Sequence, residues 1–175
     1  AALSCAHAVG IVHRDVKPAN ILLPTDIMAD AKLVDFGIAR LASGGQRLTM
    51  TGMLVGTPSY MSPEQAQGAK DIGPAADIWA VGCVLYETLT GQQPFRGDSS
   101  LAIRAKVLVS DPAPLTDYCA EATPELVALV SAMLSKMPEK RPATTNDVLD
   151  RLRAIGPLAD APKRPRGFQA TLTPK

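Results

Sequence analysis

The sequence predicts an α+β fold that is mostly helical and contains a few short strands. Two patterns support this fold class. Between residues 11 and 34, short apolar runs alternate with polar segments, which is typical of small strands that carry loops rather than of a large sheet. From residue 77 onward, apolar residues recur at helical spacing. The 175-residue chain is 46% apolar and is long enough to bury a substantial core.

The first part of the chain is predicted to begin with the end of a helix. Residues 1–9 are rich in alanine, and Gly10 follows as a helix stop. Strands are expected at residues 11–12, 21–23 and 32–34, where short apolar runs flank polar loops.

The remainder is predicted to contain a long loop, four helices and a tail. Residues 41–57 are rich in Gly, Ser and Thr and lack periodicity, so we assign them to the loop. Prolines after Gly156 exclude regular structure, so the domain covers residues 1–155 and a flexible tail covers residues 156–175.

Four helices are predicted between the loop and the tail. The first covers residues 77–89 and is expected to be buried on all sides, and the second covers residues 101–107 and is capped by Asp98. The third starts at Thr123 and Pro124, and the fourth covers residues 145–155.

Charge and cysteine content exclude several classes of protein. Lys and Arg number 18 and Asp and Glu number 17, so the net charge gives no reason to expect a nucleic-acid partner. The three cysteines are widely spaced, which excludes a disulfide framework and suits a reducing cytoplasm. Cys5 and Cys83 are expected to pack as small buried residues. The longest apolar run, residues 78–85, is too short to be a membrane segment.

Two polar segments carry the residue types that phosphoryl transfer needs. Residues 13–20 read His-Arg-Asp-Val-Lys-Pro-Ala-Asn, and residues 35–37 read Asp-Phe-Gly. The reaction requires a nucleophile held in line and the neutralisation of concentrated negative charge. A carboxylate, an amine and oxygen ligands for a hard cation are present in these two segments. Taken singly, each motif would indicate no more than a loop.

Four further motifs follow these two segments in order. They are Gly-Thr-Pro-Ser-Tyr-Met-Ser-Pro-Glu at 56–64, Asp-Ile-Trp at 77–79 with Gly82 after it, Gly91 to Phe95, and Lys-Arg-Pro at 140–142. As an ordered set, the six segments resemble the eukaryotic-like Ser/Thr protein kinases of bacteria. The resemblance covers residues 1–155 and implies the C-terminal lobe of a protein kinase-like fold.

The resemblance implies transfer of the γ-phosphoryl group of ATP to Ser or Thr hydroxyls of protein substrates. Asp15 would accept or orient the proton of the substrate hydroxyl, and Lys17 would reach the transferred phosphate. Asn20 and Asp35 would hold Mg²⁺ and contribute to nucleotide binding. Leu22 would form the floor beneath the adenine ring, with an ordinary core leucine as the alternative. ATP and Mg²⁺ are therefore the expected cofactors.

The resemblance also implies structural roles for residues outside the reaction centre. Glu64 and Arg141 should form a buried ion pair that ties the activation segment to the helical core. Asp77 should accept hydrogen bonds from the backbone of the catalytic loop. His13 and Phe36 should pack together in a regulatory stack and serve neither as an acid nor as a ligand.

A cation next to the catalytic aspartate implies regulation by phosphorylation. Arg14 can pair with a phosphothreonine, and Arg40 lies where the family often supplies a second cation. The candidate acceptors are Thr49 and Thr51, with plain polar loop residues as the alternative. Thr57 is expected to hydrogen-bond to the catalytic loop rather than to accept phosphate.

No segment of the sequence matches the other half of a kinase, because a Gly-rich phosphate loop and a Val-Ala-Ile-Lys lysine are absent. We therefore expect a truncated fold without the N-terminal lobe. One hypothesis is a piece of an active cytoplasmic kinase whose parent carries further domains or a membrane anchor. The alternative is a non-catalytic scaffold or pseudokinase-like binding module. Retention of the four reaction residues favours the first, and the upstream reading frame would discriminate between them.

The isolated 175-residue chain is predicted neither to bind Mg-ATP tightly nor to phosphorylate proteins, because half of the nucleotide cleft is missing from its sequence. Isothermal titration calorimetry with Mg-ATP checks this, and we expect no binding heat at micromolar nucleotide. A dissociation constant in the micromolar range would contradict it.

Overall fold

The chain folds into six α-helices and one two-stranded ribbon within the residues that the structure describes. The computed structural model describes residues 2–24, 30–36 and 58–156. The predicted loop and most of the predicted tail lie outside these ranges. The elements are α1 (Ala2–Ala8), β1 (Ile21–Leu22), β2 (Lys32–Leu33), α2 (Pro63–Gln67), α3 (Ala75–Thr90), α4 (Ser100–Val109), α5 (Pro124–Met133) and α6 (Thr145–Ile155).

The end of α1 explains why residues 11–12 form no strand, contrary to the prediction. Gly10 has a φ of 76°, the left-handed conformation that ends many helices. Its N–H donates to the His7 carbonyl at 3.0 Å, and the Ile11 N–H donates to the Ala6 carbonyl at 2.9 Å. The Ile11 N–H closes the helix in this way and does not take part in a strand ladder.

The ribbon of β1 and β2 joins the two polar segments. The strands are antiparallel, with Ile21 opposite Leu33. The strands predicted at residues 21–23 and 32–34 both exist, and each is one residue shorter than expected. The Val34 N–H donates to the Asn20 carbonyl at 2.9 Å. The end of the first polar segment therefore lies beside the start of the second.

Helix α3 is the centre of the helical part of the molecule. Trp79 and Cys83 on this helix have no exposed surface. Gly82 faces α5, where an added Cβ would lie 2.9 Å from the Cβ of Met133. A glycine is needed for so close an approach. The helix predicted at residues 77–89 is confirmed and extends further at both ends.

A cation packed on two aromatic rings connects α3 to α4 and to the segment after α5. Trp79 stacks on Phe95 with 5.5 Å between the ring centroids and an interplanar angle of 6°. The Nζ of Lys136 lies 4.9 Å from the Trp79 centroid and 4.2 Å from the Phe95 centroid, within the range of cation–π attraction. The same Nζ donates to the Val107 carbonyl at 2.8 Å. Burial lowers the pKa of Lys136 to about 8.

Capping side chains set the starts of the later helices. Thr123 caps α5 with Pro124 in the first turn, as predicted. The cap of α4 is Ser99, and the prediction of Asp98 is wrong. The Ser99 Oγ accepts a hydrogen bond from the Ala102 N–H at 3.1 Å. Because a cap satisfies an N–H two or three residues further on, α4 begins one residue after Ser99.

Two expectations about burial are wrong. Cys5 is exposed, because the buried face of α1 is centred on Ala6 and successive helix residues point about 100° apart. Thr88 of α3 is also exposed, so this helix is not buried on all sides. No helix in the described ranges combines the length and apolar character needed to cross a membrane.

A buried arginine joins α2 to the helical core, as the resemblance implied. The Arg141 side chain has no exposed surface, and its two terminal nitrogens contact the Glu64 carboxylate at 2.7 and 2.9 Å. Its Nε donates to the Ser135 carbonyl at 2.9 Å, and Nη1 also donates to the Ala75 carbonyl at 2.8 Å. Every guanidinium nitrogen therefore has a partner, which a buried charge requires.

The ion pair sets the protonation of Glu64. Burial by itself would raise the pKa of this carboxyl. The hydrogen bonds from Arg141 and from the backbone outweigh burial and hold the pKa of Glu64 below its usual value of 4.5. The charged pair is therefore the form that the fold favours.

The Glu64→Gln substitution is expected to lower the free energy of unfolding by about 3–5 kcal/mol, because it leaves a buried charge without its counterion. Folding lowers the pKa of Glu64, so the carboxylate stabilises the fold above its unfolded pKa and loses this effect as the pH falls through its folded pKa. The wild-type chain should therefore lose stability on acidification more steeply than the variant. Urea denaturation over a pH series measures both effects.

The Glu125→Gln variant is the matched control. Glu125 also follows a proline in the first turn of a helix, but it is exposed. We expect it to change stability little, and an equal loss in the two variants would contradict the role assigned to the ion pair.

Candidate active site

Three polar side chains of the first segment lie within hydrogen-bond distance of one another. The Lys17 Nζ contacts the Asp15 Oδ2 at 2.8 Å. The Asn20 Nδ2 donates to the Asp15 carbonyl at 2.7 Å and lies 3.3 Å from the Asp15 Oδ2. A 3₁₀ turn at Pro18–Asn20 bends the chain so that the amide reaches back to the carboxylate. The Lys17 and Asp15 side chains are 24% and 30% exposed, so substrates can reach both.

The ribbon positions Asp35 next to this cluster in the fold. Val34 precedes it, and both backbone groups of Val34 bond to the first segment. Its N–H donates to the Asn20 carbonyl at 2.9 Å, and its carbonyl lies 3.0 Å from the His13 Nε2. Asp35 is exposed and has a φ of 56°, the left-handed region that residues with a side chain adopt rarely.

The donor atoms of Asn20 and Asp35 fit a hard divalent cation. Because the Asn20 Nδ2 donates to Asp15, its Oδ1 is the amide atom left to act as a ligand. A carboxylate and an amide oxygen suit Mg²⁺, which is held in proteins by one or two such ligands together with substrate phosphates. No group of three or more His, Cys, Asp or Glu residues in the described ranges could hold a metal ion. A site that is completed by a phosphorylated substrate fits this arrangement.

The strand that follows the cluster exposes apolar surface. Leu22 in β1 is 42% exposed, so it does not lie in the core formed by the described residues. Leu23, the next residue, is 45% exposed.

A buried carboxylate holds the backbone of the first segment. Asp77 at the start of α3 has no exposed surface. Its Oδ2 accepts from the His13 N–H and its Oδ1 from the Arg14 N–H, both at 2.8 Å. The predicted bonds from Asp77 to the catalytic loop are therefore present. Arg14 has a φ of 66°, a strained backbone conformation that such bonds stabilise.

His7 is a residue of this site that the sequence analysis missed. Its Nε2 lies 2.7 Å from the Asp77 Oδ2, so it supplies a third partner for the buried carboxylate. The available signal was a polar residue in the alanine-rich helix α1, six residues before His13. That spacing alone does not reveal a contact with a residue seventy positions away.

The ring of His13 contributes hydrogen bonds as well as packing. Its centroid lies 4.6 Å from that of Phe36, and the rings are tilted by 46°. The His13 Nδ1 accepts from the Asp15 N–H at 3.3 Å, so the Nε2 is assigned as the donor to the Val34 carbonyl. His13 therefore connects the residue next to Asp35 with the backbone of Asp15.

The residues assigned to regulation fall largely outside the described ranges. Arg14 is described, and its Nη2 donates to the Ile72 carbonyl at 3.3 Å. Its Nε is buried and has no hydrogen-bond partner among the described residues. Arg40, Thr49, Thr51 and Thr57, whose roles the sequence predicts, lie outside the described ranges.

Comparisons with known proteins find bacterial Ser/Thr protein kinases that are similar to this chain. The Ser/Thr protein kinase PknB of Mycolicibacterium smegmatis is 44% identical over 165 residues, which cover 93% of this chain and 26% of the relative. The Ser/Thr protein kinase pkn3 of Myxococcus xanthus is 39% identical over 184 residues, which cover 99% of this chain and 34% of the relative. PknB of Mycobacterium tuberculosis is 40% identical over 165 residues, with 93% and 26% coverage.

The chain thus spans about a quarter to a third of the length of these curated relatives. The family model described as "Protein kinase domain" matches residues 1–151, which include both polar segments, Asp77 and the Glu64–Arg141 pair. The relatives are bacterial and carry the name of Ser/Thr kinases. This chain belongs to the protein kinase family.

Proposed function

We propose that the protein to which this chain belongs transfers the γ-phosphoryl group of Mg-ATP to Ser or Thr hydroxyls of protein substrates. The observation that carries this proposal is the cluster of Asp15, Lys17 and Asn20, in which the Lys17 and Asn20 side chains lie within 3.3 Å of the half-buried Asp15 carboxylate. Substrate proteins with accessible Ser or Thr are the expected partners, and the cytoplasm is the expected site of action.

Asp15 acts on the nucleophile. Its carboxylate accepts or orients the proton of the substrate hydroxyl, so that the oxygen is aimed at phosphorus. Its partial exposure leaves room for that hydroxyl, while the bonds to Lys17 and Asn20 restrict its rotamer. A held carboxylate raises the fraction of encounters that have the geometry for in-line attack.

Lys17 neutralises negative charge next to the Asp15 carboxylate. Its ammonium contacts the Asp15 carboxylate and is itself partly exposed, so it can contact a phosphate oxygen brought against Asp15. A cation there stabilises the negative charge on the group in transfer. Its pairing with Asp15 also lets the two side chains stay ordered before substrate binds.

Asn20 and Asp35 are the residues that would hold Mg²⁺. The metal, when bound, neutralises charge on the phosphates and draws them into position. The backbone bonds of Val34 keep the two ligand residues at neighbouring ends of the ribbon. Leu22 offers an exposed apolar surface against which the adenine ring would pack.

The alternative function is a non-catalytic scaffold or binding module. A scaffold has no chemical need for a carboxylate, an ammonium and an amide that converge on one accessible point. The described geometry therefore favours catalysis over scaffolding, and an activity assay separates the two.

We propose further that phosphorylation of Thr49 or Thr51 regulates the enzyme. The Arg14 guanidinium lies next to Asp15 in the chain, and its buried Nε has no partner among the described residues. A phosphate that bonds to this guanidinium would order the loop that carries it. Arg40 would supply a second cation. We also propose that the whole protein carries further domains or a membrane anchor.

The Asp15→Asn substitution is expected to lower kcat by about a hundredfold or more, because the amide cannot accept the hydroxyl proton. The assay uses an active protein that contains this segment. It is either the full-length protein or a chimera in which this chain replaces the matching segment of the Mycolicibacterium smegmatis relative. The Asp98→Asn variant is the control, since Asp98 is exposed and does not cap α4. Retention of activity by Asp15→Asn, with thermal unfolding unchanged, would overturn the role of Asp15.

Autophosphorylation at Thr49 or Thr51 is predicted in the same active protein. Intact-mass and peptide mass spectrometry after incubation with Mg-ATP should find phosphate on at least one of them, and none in the Asp15→Asn variant. An active protein with both threonines unmodified would count against this regulation.

A further inference from the structure

We propose that Gln65 is a positioning residue for Asp15, a role that rests on the proposed phosphoryl transfer. Gln65 lies in the short helix α2, fifty residues further along the chain than Asp15. Its Nε2 donates to the Arg14 carbonyl at 2.8 Å. That carbonyl belongs to the peptide unit that joins Arg14 to Asp15, so the bond acts on the backbone that carries the candidate base.

This peptide unit is held on both of its edges. The Arg14 carbonyl accepts from Gln65, and the Asp15 N–H donates to the His13 Nδ1 at 3.3 Å. The Arg14 N–H on the other side of the residue donates to Asp77. Arg14 has a left-handed φ of 66°, a conformation that is unfavourable for a residue with a Cβ and that the Asp77 bond helps to hold. Rotation of this peptide unit changes ψ of Arg14 and φ of Asp15 and would turn the Asp15 side chain away, and the two edge bonds oppose that rotation.

The other end of the Gln65 amide is also engaged. Its Oε1 accepts from the Ser62 N–H at 3.0 Å, while the Ser62 Oγ accepts from the Gln65 N–H at 3.4 Å. These two bonds form the capping box at the start of α2. Because the oxygen faces an N–H donor, the NH₂ group must face the Arg14 carbonyl.

A capping box by itself does not require an amide. Glutamate and glutamine serve equally at this position, since either supplies the acceptor for the cap. Only glutamine can cap α2 and donate to the Arg14 carbonyl at the same time. Glu64, the preceding residue, is fixed by Arg141, so α2 is a firm support from which Gln65 can reach the catalytic loop.

The sharpest test removes the Gln65 group that donates to the Arg14 carbonyl and keeps the oxygen that accepts from the Ser62 N–H. Gln65→Glu retains an acceptor for the Ser62 N–H, loses the donor, and sets a carboxylate oxygen against the Arg14 carbonyl. Gln67→Glu is the matched control, because Gln67 lies on the same helix and is exposed. Both variants make the same change of charge. Gln65→Met and Gln67→Met form a second pair without added charge, in case the carboxylate prevents folding.

The first readout is amide hydrogen exchange by NMR in the chain itself, which needs no activity. We expect the Asp15 amide to exchange about tenfold faster in Gln65→Glu than in Gln67→Glu, the factor set by one hydrogen bond of ordinary strength. Exchange of the Trp79 amide in α3 should be equal in the two variants. Equal exchange at Asp15 would overturn the positioning role whatever the activity.

The second readout is steady-state kinetics in the active full-length protein or chimera. In Gln65→Glu we expect kcat to fall about ten- to a hundredfold with the KM for ATP unchanged, and Gln67→Glu to match wild type. The deficit relative to wild type should shrink as the pH falls, since a protonated carboxyl regains a donor. Equal kcat in the two variants would overturn the catalytic consequence. Absence of activity in wild type and in Gln67→Glu would instead overturn the proposed function.

Discussion

The structure depends on one desolvated carboxylate, that of Asp77. An ionised group without solvent contact is costly to bury unless its oxygens are hydrogen-bonded. The donors come from α1 and from the backbone of the catalytic loop, namely His7, His13 and Arg14. The loop therefore adopts the conformation in which its N–H groups point inward, including the left-handed Arg14. The Asp15 and Lys17 side chains on this loop remain partly exposed.

The catalytic loop is local in sequence, but the groups that stabilise it are not. Asp77 follows it by more than sixty residues, and the Glu64–Arg141 pair spans seventy-seven. The geometry of the loop therefore depends on contacts with the helical core. By contrast, Asp15, Lys17 and Asn20 bond mainly to one another over five residues or fewer. The candidate site therefore combines a polar cluster that is local in sequence with stabilising contacts from residues far along the chain.

Much of this could be predicted from the sequence. Local signals predicted the later helices, because caps and apolar spacing act over a few residues. The family resemblance predicted the Glu64–Arg141 and Asp77 contacts. The missed features depend on competition between neighbours or on tertiary contacts. Ser99 rather than Asp98 caps α4, because the Ser99 hydroxyl accepts the hydrogen bond from the Ala102 N–H. Ile11 forms no strand, because its N–H bonds to the end of α1. The contacts of His7 with Asp77 and of Gln65 with the Arg14 carbonyl are revealed by no local pattern.

The aromatic stack in the core has a practical consequence. Trp79 is the one tryptophan in the sequence, and it is buried against Phe95 beneath the Lys136 ammonium. Its indole N–H is buried without a hydrogen-bond partner in the described ranges. Tryptophan fluorescence of the chain, excited where its three tyrosines do not absorb, therefore arises from a single, water-excluded indole. The emission reports on the packing of α3 in the helical core, and the catalytic loop can be altered while this optical signal is followed independently.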